Sequence, residues 1–135
     1  MFVVWKCDYE FRPGHVARAV VFSPRFHAER SDEGSRYVRA YLRGARDYYD
    51  AFEHGVNRDE VVRVLAAEAQ TSDAIVNEMI PIGLDPDGYI DADSVAEDLR
   101  WFQDEGLLTH HVPIDQVIVS TYVDDALAQL GRYES

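Results

Sequence analysis

Between residues 35 and 53, Val38, Tyr41, Ala45, Tyr48 and Phe52 recur at steps of three and four, one apolar stripe running the length of a long helix. A helix of this kind has a face to bury, so the rest of the chain must supply something to cover it. The chain has 135 residues, which fits a single domain over 1–135, and apolar residues make up 47%, enough for a core without staples. Cys7 is the only cysteine, which excludes an intrachain disulfide and any zinc site built on several thiolates. It is expected to pack as a small apolar residue.

Other helices are legible from their ends. Asn57 followed by Glu60 resembles a capping box opening a helix to about Ala69, and Ser72 can cap a short helix that Pro81 stops. The spacing of Val95, Leu99 and Phe102 predicts a helix over 94–105, closed by Gly106 at C′. Its start is open by about three residues: Asp91 as cap with an Ile90–Val95 staple, or Ser94 with Glu97 as a capping box. Tyr122, Val123, Ala126, Leu127 and Leu130 predict a last helix over 121–130, ending at Gly131. Before these helices, Phe2–Trp5 and Val16–Phe22 are short, rich in Val, Phe or Trp, and separated by the turn signal Arg12-Pro13-Gly14, so they read as strands. The expected class is therefore α+β, predominantly α-helical: a strand-turn-strand segment over 1–24, then a helical part with about five helices over 25–131.

Charge is polarised. Residues 1–50 carry nine Lys or Arg against seven Asp or Glu, and residues 51–135 carry four against eighteen. The net charge of −12 repels nucleic acid and anionic lipid, and periodic apolar residues through the acidic half make that acid a solvated surface rather than a tail. Arg36, Arg39, Arg43 and Arg46 form a basic stripe on the long helix, read as an exposed or acid-paired face rather than a phosphate track. No stretch approaches the length of a membrane span, and the chain as given carries no signal peptide, which alone would leave it cytoplasmic.

Few residues suggest chemistry. Asp85-Pro86-Asp87-Gly88-Tyr89-Ile90-Asp91 imitates the middle of an EF-hand loop, but the aligned positions 1 and 12 are Gly83 and Ser94, so a turn leading into a capped helix is expected. His110 and His111 are adjacent and do not converge on one metal as an i, i+4 pair does. Neither a nucleophile with its base nor a Gly-rich phosphate loop is recognisable, so no catalytic residue, metal or cofactor is expected. The candidate ligand contacts are Trp5, Tyr9, Phe11 and His15, an aromatic and polar cluster on a strand-turn segment where binding sites are commonly built.

Three segments, in this order, resemble the C-terminal part of ABC-importer solute-binding proteins of the nitrate, sulfonate and taurine type, which includes binders of thiamine-pyrimidine precursors. They are Arg36-Tyr37-Val38-Arg39-Ala40-Tyr41-Leu42-Arg43-Gly44-Ala45-Arg46-Asp47-Tyr48; Leu84-Asp85-Pro86-Asp87-Gly88-Tyr89-Ile90 with Trp101-Phe102 and Glu105-Gly106-Leu107; and Thr121-Tyr122-Val123-Asp124-Asp125-Ala126-Leu127 ending Leu130-Gly131. Val20-Val21-Phe22-Ser23-Pro24 resembles the strand that precedes the first. Members often carry an acid where Val119 stands.

The resemblance implies a partial lobe of a type-2 periplasmic-binding-protein fold, with most of the sheet and pocket lying before residue 1. It further implies a small organic or anionic solute as ligand, an ABC permease as partner of the full-length protein, and an extracytoplasmic location, periplasmic or at the cell surface. The alternative is a shortened helical self-association module without solute binding, a homo-oligomer meeting through Phe2, Val4, Trp5, Val20 and Phe22. An enzyme of the thiamine-pyrimidine synthase branch, which shares the fold, ranks last: Lys6 is the only lysine and no His-rich site is present.

Overall fold

The computed structural model describes residues 19–134. Seven helices lie among them: α1 (Pro24–Glu29), α2 (Ser31–Glu53), α3 (Arg58–Glu68), α4 (Asp73–Glu78), α5 (Ala92–Asp104), α6 (Ile114–Val117) and α7 (Thr121–Leu130). No β-strand is present among the described residues.

This corrects the α+β expectation, and with it the partial lobe of a type-2 binding-protein fold: the described part is all-α. Phe2–Trp5 lies outside the described residues. Of Val16–Phe22, the described residues 19–22 are neither strand nor helix. A strand needs a neighbour's N–H and C=O groups, and no described segment offers them. Phe22 instead serves an aromatic cluster, its ring stacked on Phe26 at 5.1 Å and edge-on to Tyr122 at 5.0 Å. The helix count also exceeds the expected five, by the two short elements α1 and α6.

Side-chain caps open three of the seven helices. Ser23 Oγ accepts from the Phe26 amide at 3.1 Å, with Pro24 at the first helical position of α1. Ser72 caps α4 through the Ile75 amide. Asp91, rather than Ser94, caps α5, accepting from the amides of Asp93 at 3.0 Å and Ser94 at 3.2 Å. Ser94 is buried inside the helix. Gly106, at φ +71°, closes α5 in a Schellman motif: its amide bonds Gln103 O and that of Leu107 bonds Phe102 O, each at 2.9 Å. Asn57 precedes α3 but caps nothing, because its left-handed backbone, φ 51°, is not the extended conformation from which a side chain reaches the first-turn amides. The left-handed residue after α3 is Gln70, φ 52°, with Thr71 N bonding Ala66 O at 2.9 Å.

Two small cores result. In the first, α7 lies along α2 and buries Val38, Leu42, Tyr122, Ala126 and Leu127, with Phe22, Val123 and Leu130 at the rim. Gly34 lets α2 and α7 approach closely, since a Cβ there would stand 2.6 Å from Tyr122 Cε1. In the second, α3 and α4 pack as a hairpin on the end of α2, burying Val62, Ala66 and Val76 with Phe52 and Leu65 beside them. Among the described helices α5 packs only against α6, and Trp101 and Phe102 on it are exposed. No helix among the described residues is long and apolar enough to cross a membrane.

Candidate functional site

The C-terminal half of α2 is where separate segments converge. Arg46 Nε donates to Pro86 O at 3.1 Å, and its Nη2 donates to Asp87 Oδ1 at 2.9 Å and Gly131 O at 2.7 Å. One planar guanidinium thus ties α2 to the Pro86–Asp87 turn and to the end of α7, a use that depends on its fork of fixed donors. The pair is largely shielded, with side chains of Arg46 and Asp87 only 16% and 15% exposed. Asp87 Oδ1 also accepts from the Tyr133 amide at 2.8 Å. The turn is set by Asp85, whose Oδ1 accepts from Asp87 N at 2.7 Å, and by Gly88 at φ +75° against Leu42. Asp87 is therefore committed to the fold.

Beyond the clamp, Tyr133 donates its hydroxyl to the Asp50 carboxylate on α2. That hydrogen bond, with the loss of water around the phenol and the nearby negative charge, pushes the Tyr133 pKa up to about 12. The ring stands edge-on to Tyr49 at 5.4 Å.

Beside this lies a cleft of about 240 Å³ lined by Tyr48, Tyr49, Phe52, Glu53, Ile82, Gly83 and Leu84. It forms because the Pro81–Leu84 segment crosses the last two turns of α2, held there by a hydrogen bond from the Ile82 amide to the Tyr48 hydroxyl at 2.8 Å. Tyr48 and Phe52 share one wall, ring centroids 4.6 Å apart. The volume is below the usual range for drug-sized ligands, so the cleft has room for a small solute. Its lining offers aromatic surface, a backbone edge and one carboxylate, Glu53. That chemistry favours a flat neutral or cationic ring over an anion.

Trp5, Tyr9, Phe11 and His15, the candidate contacts from the sequence, lie outside the described residues. The cleft was not anticipated; its sequence signal was the Tyr48-Tyr49 doublet two turns before Gly55, followed at a distance by the Pro81–Leu84 run. The basic stripe divides as a structural face would: Arg46 enters the clamp, Arg39 bonds Gln129, and Arg36 and Arg43 are exposed. His110 sits within 3.0 Å of Thr109 Oγ1, and among the described residues no group of His, Cys, Asp and Glu side chains could hold a metal ion. Comparison with protein-family models, curated proteins and solved structures finds no match to this chain.

Proposed function

We propose that this chain is a fragment or shortened relative of an ABC-importer solute-binding protein, of the class that takes up nitrate, sulfonates, taurine or thiamine-pyrimidine precursors, and that it works by binding rather than catalysis. The observation that supports this reading is the Arg46 clamp. The three segments whose order resembles that class, residues 36–48, 84–90 and 121–131, are far apart in sequence, yet one side chain from the first bonds the second and the third. Within the class, the aromatic cleft with Glu53 at its rim favours a pyrimidine over a sulfonate. An ABC permease is the expected partner, and an extracytoplasmic location follows from the same reading.

The test is an NMR titration of the isotopically labelled chain with an aminopyrimidine, taurine and nitrate. One shallow cleft recovers only part of a ligand's surface, so saturable shifts in the millimolar range are expected, equivalent to about 4 kcal/mol of binding. They are expected at Tyr48, Tyr49 and Phe52, and at Trp5, Tyr9, Phe11 and His15, strongest for the pyrimidine. Absence of shifts with every member of the panel at tens of millimolar would refute the reading.

A further inference from the structure

The apolar sector of α2 is wider than α7 covers. Val38, Leu42 and Ala45 are buried, but one step round the helix Tyr37, Tyr41 and Gly44 fall at i, i+4 and i+7, a single line along the surface. Tyr37 and Tyr41 are 54% and 47% exposed, and among the described residues nothing lies within 4 Å of where a Cβ on Gly44 would stand. The chain itself bounds this strip at both ends. Phe22 sets its ring edge-on to Tyr37 at one end, centroids 6.0 Å apart. At the other, the Pro81–Leu84 segment crosses Tyr48, whose hydroxyl accepts from the Ile82 amide. Between them, from Tyr37 to Gly44, runs about 10 Å of helix surface that the described residues leave half open.

We propose that this strip is the docking surface for the N-terminal segment of the same chain, through its apolar run Phe2, Val3, Val4, Trp5, Tyr9 and Phe11. This inference does not rest on the solute reading.

The place where the described chain begins points to this occupant. Residues 19–22 lead into the contact of Phe22 with Tyr37, so residues 1–18 join the fold beside the strip. Val20 and Val21, 41% and 85% exposed, continue the open apolar surface toward them. Phe11 is nine residues before Val20 and Trp5 is fifteen, separations that reach up to about 30 and 50 Å when extended, well beyond the strip. The gap at Gly44, next to the Tyr41 ring, is where an aromatic side chain of the segment fits.

Size and charge favour the same occupant over a second copy. Two half-exposed tyrosines fall far short of the roughly 800 Å² per partner in a stable interface between molecules. A tethered segment needs less, because its link to Phe22 keeps it at a high effective concentration and docking costs no translational freedom. Docking also takes apolar surface of both the segment and the strip out of water. The segment carries Lys6, Arg12 and Arg18 against Asp8 and Glu10, a net +1 in a chain of −12, so closure brings opposite signs together.

Cys7, the only cysteine, lies inside the apolar run and makes the test direct. A nitroxide attached there, on the isotopically labelled full chain, is expected to remove amide intensity over residues 37–44 of α2 while sparing α3 and α5. The loss should persist when the labelled chain is diluted with unlabelled chain. As a second measurement, Trp101→Phe leaves Trp5 as the only tryptophan, and its emission should be blue-shifted from that of exposed tryptophan. Adding Tyr41→Glu, at an exposed site, should weaken docking by about tenfold and shift that emission to the red, with helix content by circular dichroism unchanged. Broadening centred on Trp101 and Phe102 of α5, broadening that fades on dilution, no broadening on any helix, or Trp5 emission indifferent to Tyr41→Glu would each overturn the proposal.

Discussion

Removing the Arg46 guanidinium should separate the α2–α7 core from the loop that closes it. In Arg46→Ala, three acceptors lose their donor at once: Pro86 O, Asp87 Oδ1 and Gly131 O. A hydrogen bond involving a charged group contributes about 1.5–3 kcal/mol net, but three bonds from one rigid group are not independent. Breaking a buried ion pair by deleting one partner costs about 3–5 kcal/mol when the remaining charge is left bare. Here Asp87 keeps the Tyr133 amide, which places the expected loss at the low end, about 3 kcal/mol. With unfolding entropy near 2.1 cal/mol/K per residue, a chain of 135 residues should then melt about 10 °C lower. Arg46→Lys, a point charge that cannot span the three acceptors, should lose about half as much. Chemical denaturation followed by circular dichroism reads both, with Arg43→Ala as the exposed control expected to change stability by no more than about 0.5 kcal/mol. A loss below about 1 kcal/mol for Arg46→Ala, or one equal to that of Arg43→Ala, would refute the view that this side chain joins the three segments.

Gly88→Ala combines a left-handed backbone, φ +75°, with a Cβ that would lie 2.4 Å from Leu42 Cδ2, so a loss of about 3 kcal/mol is expected by denaturant titration. Gln70→Gly should act in the opposite direction: a left-handed residue at φ 52° after α3 becomes unstrained, raising stability by about 0.5–1 kcal/mol, and a neutral or negative change would contradict the left-handed closure of α3 at this residue. In an ultraviolet titration, Tyr133 should ionise well above the ordinary tyrosine value, its pKa raised from 10.0 to about 12 by donation to Asp50. The neutral phenol is the form the fold favours, so its stabilising effect is whole below about pH 10 and drains away as pH rises through 12. Asp50→Asn should bring the Tyr133 pKa back toward 10.0.

Local chemistry in the sequence determined five of the seven helices. The three-and-four spacing of residues 38–52 required α2, Ser72 and Asp91 supplied oxygens at the positions where first-turn amides lack partners, and Gly106 could take the positive φ that ends α5. These are interactions between residues a few positions apart, and the chain carries them wherever it goes. Asn57 fails the same logic because α3 begins from a left-handed residue, a conformation no spacing announces.

Tertiary structure decided what each apolar or charged residue is for. Valine and phenylalanine at 20–22 have strand character, yet pairing needs a second strand at hydrogen-bonding distance; the described chain offers Phe22 the rings of Phe26, Tyr37 and Tyr122 instead. Arg46 reads as one of four equivalent cations on a helix, and becomes a clamp only because Asp87 and Gly131, 41 and 85 residues away, arrive beside it. The stripe of α2 predicted burial for Tyr41 as well as Val38, but α7 is one helix wide and covers the Val38–Leu42 side alone. Helix periodicity states which residues share a face; only the packing of a partner, with its finite width, determines which part of that face leaves water.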